Sequence, residues 1–514
     1  MKRISELGRH LAMDLSPLRR SRDLRWVVGG QLLSTLGAQL TTVAVPFQVY
    51  ALTRSSLDVG LVSLAQVIPL MAGGLLGGAL ADAVDRRRLL LIAQALTALC
   101  SVGLALNADT GTVLWPLFAA PAAAAGFTAT TESGLSAMLP NLVSRSEVAA
   151  ANAMFQALYQ LGTVAGPAVA GLLLAGAGVR FVYWIDVATI AASAVATFLI
   201  SPQPSAGPVG LPSISEGLRY LRGRQVIQGA YLIDINAMVF GMPRAVFPAL
   251  ASTAFGGGAR TLGFLYAAPG AGALLGAVTT GWVSKVRRQG LAVILAVLVW
   301  GAAIACFGFT HWLPAALVLL AVAGCADVIS AVFRGTIIQL SVPDALRGRL
   351  MGLQMAVVTS GPRVGDAETG GVAAAFGPAT AVVSGGLACI AGALVLARLL
   401  PEFTRQRTPA EHVKVPVLRP GVASRCYRPE PSIPFVLITP LSARTCVPLA
   451  LMTPPSATAC VPLELIRPLS AAMWVWLAAA PAAAAAAAAI ASAASTRLFV
   501  PLISSSATFR EFRT

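Results

Sequence analysis

The stretch Gly78-Ala79-Leu80-Ala81-Asp82-Ala83-Val84-Asp85-Arg86-Arg87-Arg88 is a short charged island between two apolar runs, near 59–81 and 89–108. Each run has about 20 residues, the length a helix needs to cross ~30 Å of hydrocarbon. In that medium every backbone N–H and C=O must be paired within the protein, so the runs are read as helices. The island is then a water-facing turn, and its three arginines mark one side of a membrane.

The same alternation extends in both directions. Spans are expected near 26–50, 59–81, 89–108, 112–138, 150–175, 180–200, 226–254, 262–283, 291–310, 313–340, 350–375 and 379–400. The chain is 56% apolar and only 11% charged, whereas a soluble domain carries about 25% charged residues. Up to residue 407, twenty-one Lys and Arg fall on one side of these spans, and only Arg54, Arg180 and Arg260 on the other. That bias assigns the basic side to the cytoplasm, with both ends of the core there. It also accounts for the formal charge of +16 without nucleic acid as a partner, because the basic residues sit in short loops and form no nucleic-acid module. The partner implied is the lipid bilayer.

The expected organisation is a cytoplasmic segment 1–25, a six-helix bundle 26–200, a cytoplasmic linker 201–225, a second six-helix bundle 226–403 and a tail 404–514. In the linker, Ser213 and Glu216 have capping-box spacing and open a short amphipathic helix. The halves echo each other. Val84-Asp85-Arg86-Arg87 is matched by Lys285-Val286-Arg287-Arg288, and Leu139-Pro140-Asn141 by Val342-Pro343-Asp344. Parallel repeats of this kind place a substrate site near the midplane between them. The tail holds one of the 48 glycines, Gly421, and three 14-residue units at 432–445, 446–459 and 460–473. Such composition fits a disordered segment or a shifted reading frame, although the Ala-rich run 474–492 has the length of a further span.

Several chemistries find no support. The three histidines, His10, His311 and His412, stand apart, no C-x-x-C pair occurs, and no G-x-x-x-x-G-K-[ST] loop is present. Neither a metal, a cofactor nor an enzyme activity is expected. Ionisable groups inside spans are costly and mark function by default. They are Glu132, Asp186, Asp234, Asp327, Arg334, Arg363, Asp366 and Glu368. Asp186 is expected to meet water at the external end of its span. Arg363 and Asp366 share a helix face at i, i+3, either as a protonation switch or as a static ion pair. Asp234, flanked by Leu232, Ile233 and Ile235 with no cation within a turn, is the candidate proton carrier. Glu132, Arg334, Arg363, Asp366 and Glu368 complete the candidate proton or substrate site.

The 78–88 island resembles the G-x-L-A-D-(R)-x-G-R-R/K-R motif of the major facilitator superfamily, with Ala83 and Asp85 in place of the usual basic residue and glycine. The resemblance implies a conformational latch carried by Gly78, Asp82, Arg86 and Arg87. Gly78 is expected to admit a neighbouring helix, and Val283 replaces the acid in the second copy. Gly162-Thr163-Val164-Ala165-Gly166-Pro167-Ala168-Val169-Ala170-Gly171 resembles the G-x-x-x-G-P-x-x-G-G motif of proton-driven exporters. Gly162, Gly166, Pro167 and Gly171 carry that likeness; a general small-residue packing face is the other reading. Stretches 231–244, 333–349 and 361–370 are similar to the enterobactin-exporter-like branch of drug and siderophore exporters. The chain departs from that branch at Leu135, where an Arg is usual. The resemblance implies an all-α membrane protein of twelve helices in two pseudo-symmetric bundles, acting as a monomer. It implies export of a small molecule (a siderophore, drug or other secondary metabolite) by alternating access, with protons as the coupling ion. An importer or facilitator on the same fold, or a non-transporting scaffold or sensor, remains the alternative.

Overall fold

Ser21 starts the first long helix by accepting a hydrogen bond from the Leu24 N–H at 3.1 Å, and Arg54 ends it in the left-handed conformation with φ 53°. Ser55 then caps the next helix through the Asp58 N–H at 3.2 Å. Two-residue turns of this kind hold successive helices antiparallel. The computed structural model describes residues 16–110, 113–144, 147–202 and 219–406, all within the unit Met1–Ala410. The capping box of the linker, the segment before residue 16 and the tail beyond 406 lie outside the described residues.

The helices are α1 Ser16–Arg20, α2 Arg22–Thr53, α3 Ser56–Ala65, α4 Val67–Ala83, α5 Arg86–Thr110, α6 Pro116–Leu142 and α7 Val148–Phe198 in the first half. The second half has α8 Gln225–Phe240, α9 Phe247–Thr253, α10 Gly258–Thr279, α11 Gln289–Gly308, α12 Leu313–Ser341, α13 Asp344–Phe376, α14 Pro378–Leu399 and α15 Pro401–Arg405. No strand occurs among the described residues. Nine helices among them are long and apolar enough to cross a membrane, α3 and α4 counting as one, as do α8 and α9. The expected fourth and eleventh spans are the helices α6 and α13, which fall outside those nine. Both are rich in small and polar residues, and α13 carries Arg363, Asp366 and Glu368. The expected fifth and sixth spans are joined in α7, whose 51 residues would reach roughly 76 Å if straight. Gly178, at φ 82° and ψ 173°, breaks that run into two.

Asp85 explains its own departure from the superfamily pattern. Its Oδ1 accepts the Arg87 and Arg88 N–H groups at 2.8 and 3.4 Å, capping α5.

Lipid gives apolar helices no reason to associate, so contact depends on close packing of small residues. Within the first half, a methyl at Gly126 on α6 would stand 2.9 Å from the Pro69 carbonyl oxygen of α4. Within the second half, Gly324 of α12 meets the Pro269 carbonyl of α10 in the same way. The two contacts are about 200 residues apart, which confirms the internal repeat in three dimensions.

Further glycine contacts join the halves. Gly370 of α13 abuts the Ser56 carbonyl of α3, with only 2.6 Å for a methyl, and Gly60 abuts the Asp366 carbonyl. Gly171 of α7 lies against Gly263 of α10 (2.7 Å from a methyl to the Gly263 Cα), and Gly270 lies against the Thr163 carbonyl at 2.9 Å. Pro167 has no N–H to offer Thr163, so that carbonyl is free to face the other half. The Gly370–Ser56 and Gly171–Gly263 contacts lie toward the end that carries Arg54 and the Gly178 bend, and the Gly270–Thr163 contact lies near mid-helix. At the opposite, basic end, which carries Arg86–Arg88, the same face of α4 continues through Gly74 and Gly78, and neither has a neighbour within 4 Å. Gly352 of α13 is equally open. Among the described residues, the glycine contacts that join the halves thus run from mid-helix to the Arg54 end.

Replacing Gly171 with Val forces α7 and α10 apart, at a cost of about 1–3 kcal/mol to the sealed arrangement. In a cysteine-free background carrying Ser56→Cys, a buried position at the seam, that change is expected to raise thiol labelling at least several-fold. Unchanged labelling means the glycine contact does not hold the halves together.

Candidate functional site

Pro243 interrupts the helical ladder of α8, and the chain passes through a 3-10 turn, Arg244–Val246, before resuming as α9. The Gly241 carbonyl left over at the break accepts the Trp300 indole N–H at 2.9 Å. Interrupted helices at membrane depth survive only where protein or a watery cavity satisfies the backbone. Here the break sets Arg244 between the halves, its carbonyl accepting from the Tyr266 hydroxyl at 3.3 Å.

Four further groups surround this point. Arg363 lies within electrostatic reach of Arg244, Asp366, Glu132 and Tyr159. Glu132 and Tyr159 belong to the first half, Arg244, Arg363 and Asp366 to the second. Glu132 is exposed although it sits within α6, and Tyr159 is 48% exposed within α7. The expected Arg363–Asp366 ion pair is not formed. Arg363 turns to the Gln66 amide oxygen at 3.5 Å and to its own Thr359 carbonyl. Asp366 lies within electrostatic reach of both Arg244 and Arg363, and its buried Oδ1 makes no hydrogen bond. Sharing a helix face brought the two residues near each other but did not aim them at each other.

A second cluster lies in the C-terminal half. Asp234 has no cation within a turn of its own helix, but Arg334 of α12 stands 2.7 Å from its Oδ1, both side chains all but completely buried. The partner comes from a helix about 100 residues away in sequence, beyond the reach of a one-turn search. Arg334 also donates to Ser330 Oγ at 2.6 Å and lies 4.0 Å from Asp327, which is 25% exposed. The Arg334 N–H is not aimed at Asp234 Oδ1, and neither that oxygen nor Arg334 Nε makes an aligned hydrogen bond. Charge and enclosure hold this pair. Glu368, further along α13, accepts from its neighbour Thr369 at 3.3 Å.

Asp186 is also corrected. It is buried rather than water-facing, and its Oδ2 accepts from Thr41 and Ser101, each at 2.8 Å, joining α7 to α2 and α5. Leu135 packs into a small core with Leu90, Met138 and Leu142 and does not line the cleft.

The motif residues divide by role. Gly78 admits no helix here, and the close approach to α6 is made by its neighbour Gly77. Asp82 is 49% exposed and reaches only Arg86 of its own half, at 3.8 Å. Arg86 is buried and donates to the Ala81 and Ala137 carbonyls at 3.1 and 2.8 Å, while Arg87 covers the Phe198 ring and reaches the Phe198 carbonyl. Gly162 and Gly166 pack on Thr35 and Gln39 of α2, and Gly171 on Gly263 of the other half.

Arg244 and Tyr159 lie outside the residues that the sequence marks as functional, and Asp327, marked as an ionisable group within a span, lies outside the expected proton or substrate site. For Arg244 the signal was present: a Pro-Arg pair after Gly-Met inside an apolar span.

Residues 12–426 match the family model described as transmembrane secretion effector. The chain belongs to that family, within the major facilitator superfamily. It is 30% identical over 406 residues to the enterobactin exporter EntS of Shigella boydii serotype 18, covering 77% of this chain and 96% of that protein. EntS of Escherichia coli O139:H28 matches with the same identity and coverage. Among solved structures, a peptide transporter POT aligns with TM-score 0.62 at 12% identity, over 76% of this chain and 96% of the other. A bacterial homologue of the human lysosomal transporter Spinster, solved inward-facing and unoccupied, aligns with TM-score 0.60 at 15% identity, over 74% and 95%. The fold is that of these transporters, in a multi-pass protein of the inner membrane.

Removing one member of a buried pair strands the other charge, typically at about 3–5 kcal/mol. Asp234→Asn and Arg334→Gln are each expected to lower the melting temperature in detergent, and the double variant to recover part of the loss. Additive losses mean the two residues do not stabilise each other.

Proposed function

We propose that the protein exports a small molecule from the cytoplasm by alternating access, with protons entering as the substrate leaves. The observation that carries this reading is the uneven placing of the contacts between the halves. Among the described residues, glycine contacts join the halves from mid-helix to the end opposite the basic residues, and Arg244, Arg363 and Glu132 gather between the halves. With the basic end cytoplasmic, the cleft loads from inside. Likeness to EntS, a protein named for exporting enterobactin, favours export over import and makes a siderophore the first substrate to test.

Protons are assigned to the Asp234–Arg334–Asp327 cluster. Arg334 has two carboxylates to choose from and aligned bonds to neither. A proton taken up by the partly exposed Asp327 leaves Arg334 wholly to Asp234, and its release shares the cation again. Asp366 and Glu368 lie beside the seal on α13, so a change there bears on closing. In the opposite state, Gly78 and Asp82 face the surface that the second half must cover, which is the latch role their motif implies.

Inside-out vesicles with an acidic lumen test this directly. They are expected to accumulate iron-free enterobactin, with Asp327→Asn allowing equilibration but no uphill transport, and Asp82→Asn slowing transport without reducing insertion. Uptake by the unaltered protein that ignores the pH gradient rules out proton coupling. Full rates in Asp82→Asn reduce its motif to a topology signal.

A further inference from the structure

The joint between α2, α5 and α7 holds a carboxyl group that the export reading does not use. Asp186 of α7 is buried, and the two hydroxyls that reach it, Thr41 of α2 and Ser101 of α5, both donate to Oδ2, at 2.8 Å each. Oδ1 is equally enclosed and accepts from no donor. It faces α2 where Gly37 leaves room: a methyl there would strike both Oδ1, at 2.5 Å, and the Thr189 hydroxyl oxygen. The Thr189 hydroxyl gives its hydrogen to the Asp186 main-chain carbonyl at 2.8 Å, so toward Oδ1 it presents lone pairs only. Among the described residues no Lys, Arg or His nitrogen lies within 4.0 Å of this carboxyl. Its titratable neighbours are Tyr183, one turn away on α7 with its hydroxyl donating to Gln48 of α2 at 2.8 Å, and the half-buried Cys100 beside Ser101 on α5. The charged groups nearest in sequence on α5 and α7, Asp109 and Arg180, pair with each other at 2.7 Å.

A bare carboxylate here would carry two donors on one oxygen and none on the other, and would set that second oxygen against an acceptor at membrane depth. One hydrogen on Oδ1 removes every mismatch. Oδ2 is then a carbonyl oxygen with two donors, and the Oδ1 hydroxyl has the Thr189 oxygen to donate to. We propose that Asp186 is a proton-binding site of the first half, with the proton on Oδ1 and the Thr189 hydroxyl oxygen as its acceptor. The site takes a proton and no larger cation, because the Gly37 backbone closes the space in front of Oδ1. It is separate from the Asp234–Arg334–Asp327 cluster and stands whether or not the protein exports. Loss of the proton turns Oδ1 against the Thr189 lone pairs and loosens the joint of α7 with α2. The way out for it is toward the Arg54 end. In that direction follow Tyr183 with Gln48, then Asn107, whose buried Nδ2 has no acceptor, then the partly exposed Asp109–Arg180 pair. Toward the basic end the next residue on the same face of α7 is the buried Ile190.

Infrared difference spectroscopy of the full-length protein in lipid at neutral pH tests this, reading the carbonyl stretch of neutral carboxyl groups. Asp186→Asn has the shape and the hydrogen bonds of the neutral acid, with an amide N–H in place of the O–H. It is expected to fold, to keep the melting temperature and to lose one such band completely. Ser101→Ala removes one donor from Oδ2, so the same band should move to higher frequency. Transfer to D2O should move it lower. Asp109→Asn, which removes a carboxylate already paired with Arg180, should leave it in place. An Asp186→Asn spectrum that keeps every neutral-carboxyl band overturns the proposal. So does an Asp186→Asn protein that no longer folds, since the site then needs the charge. A band that stays fixed in Ser101→Ala overturns the placing of the proton on Oδ1. A band that ignores D2O means the proton never leaves, and overturns the binding site.

Discussion

Close contact between glycine and a backbone carbonyl of another helix is the interaction on which this structure depends. In lipid an apolar surface gains nothing by turning inward, so helices hold together only where their backbones come near enough for dispersion contacts to accumulate. Gly73 and Gly126 draw α4 and α6 together, Gly272 and Gly324 do so for α10 and α12, and Gly171 with Gly263 joins the halves. Contacts within a half are built into the body of each bundle. Among the described residues, glycine contacts between halves run from mid-helix to the Arg54 end, and that asymmetry is what the proposed motion of the halves uses.

Charge is distributed according to the same division. Asp186 sits inside the first bundle, held by hydroxyls from two other helices. Asp234 and Arg334 sit inside the second bundle and neutralise each other. Arg244, Arg363, Asp366 and Glu132 gather between the halves. Groups within a bundle have their partners supplied by the fold, whereas groups at the seam have theirs left open. The break at Pro243 belongs to the seam as well, since it is what brings Arg244 to the cleft instead of to lipid.

The helices, the repeat and the family were legible in the sequence because each depends on local pattern: length of apolar run, alternation of basic loops, and short motifs such as 78–88 and 162–171. The partners of the buried charges were not legible. Asp234 and Arg334 are far apart along the chain, and only the packing of α8 against α12 brings them together. Arg363 and Asp366, three residues apart, looked like a pair and are not, because Gln66 and the Thr359 carbonyl claim the Arg363 side chain. Asp186 departs from expectation for the same reason: its place near a span end says nothing about Thr41 and Ser101. The helix contact expected at Gly78 is made by Gly77, since adjacent glycines point to different faces and sequence does not say which face is covered.

The central claim is that the sealed end and the open end exchange as one rigid motion of the halves. Electron–electron distance measurements on two spin-label pairs test it most directly, Arg88 with Arg287 at the basic end and Trp115 with Arg260 at the sealed end. The account predicts reciprocal changes in lipid vesicles when pH is lowered or substrate added: the basic-end pair shortens as the sealed-end pair lengthens. Distances that stay fixed at both ends, or that lengthen together, would contradict it.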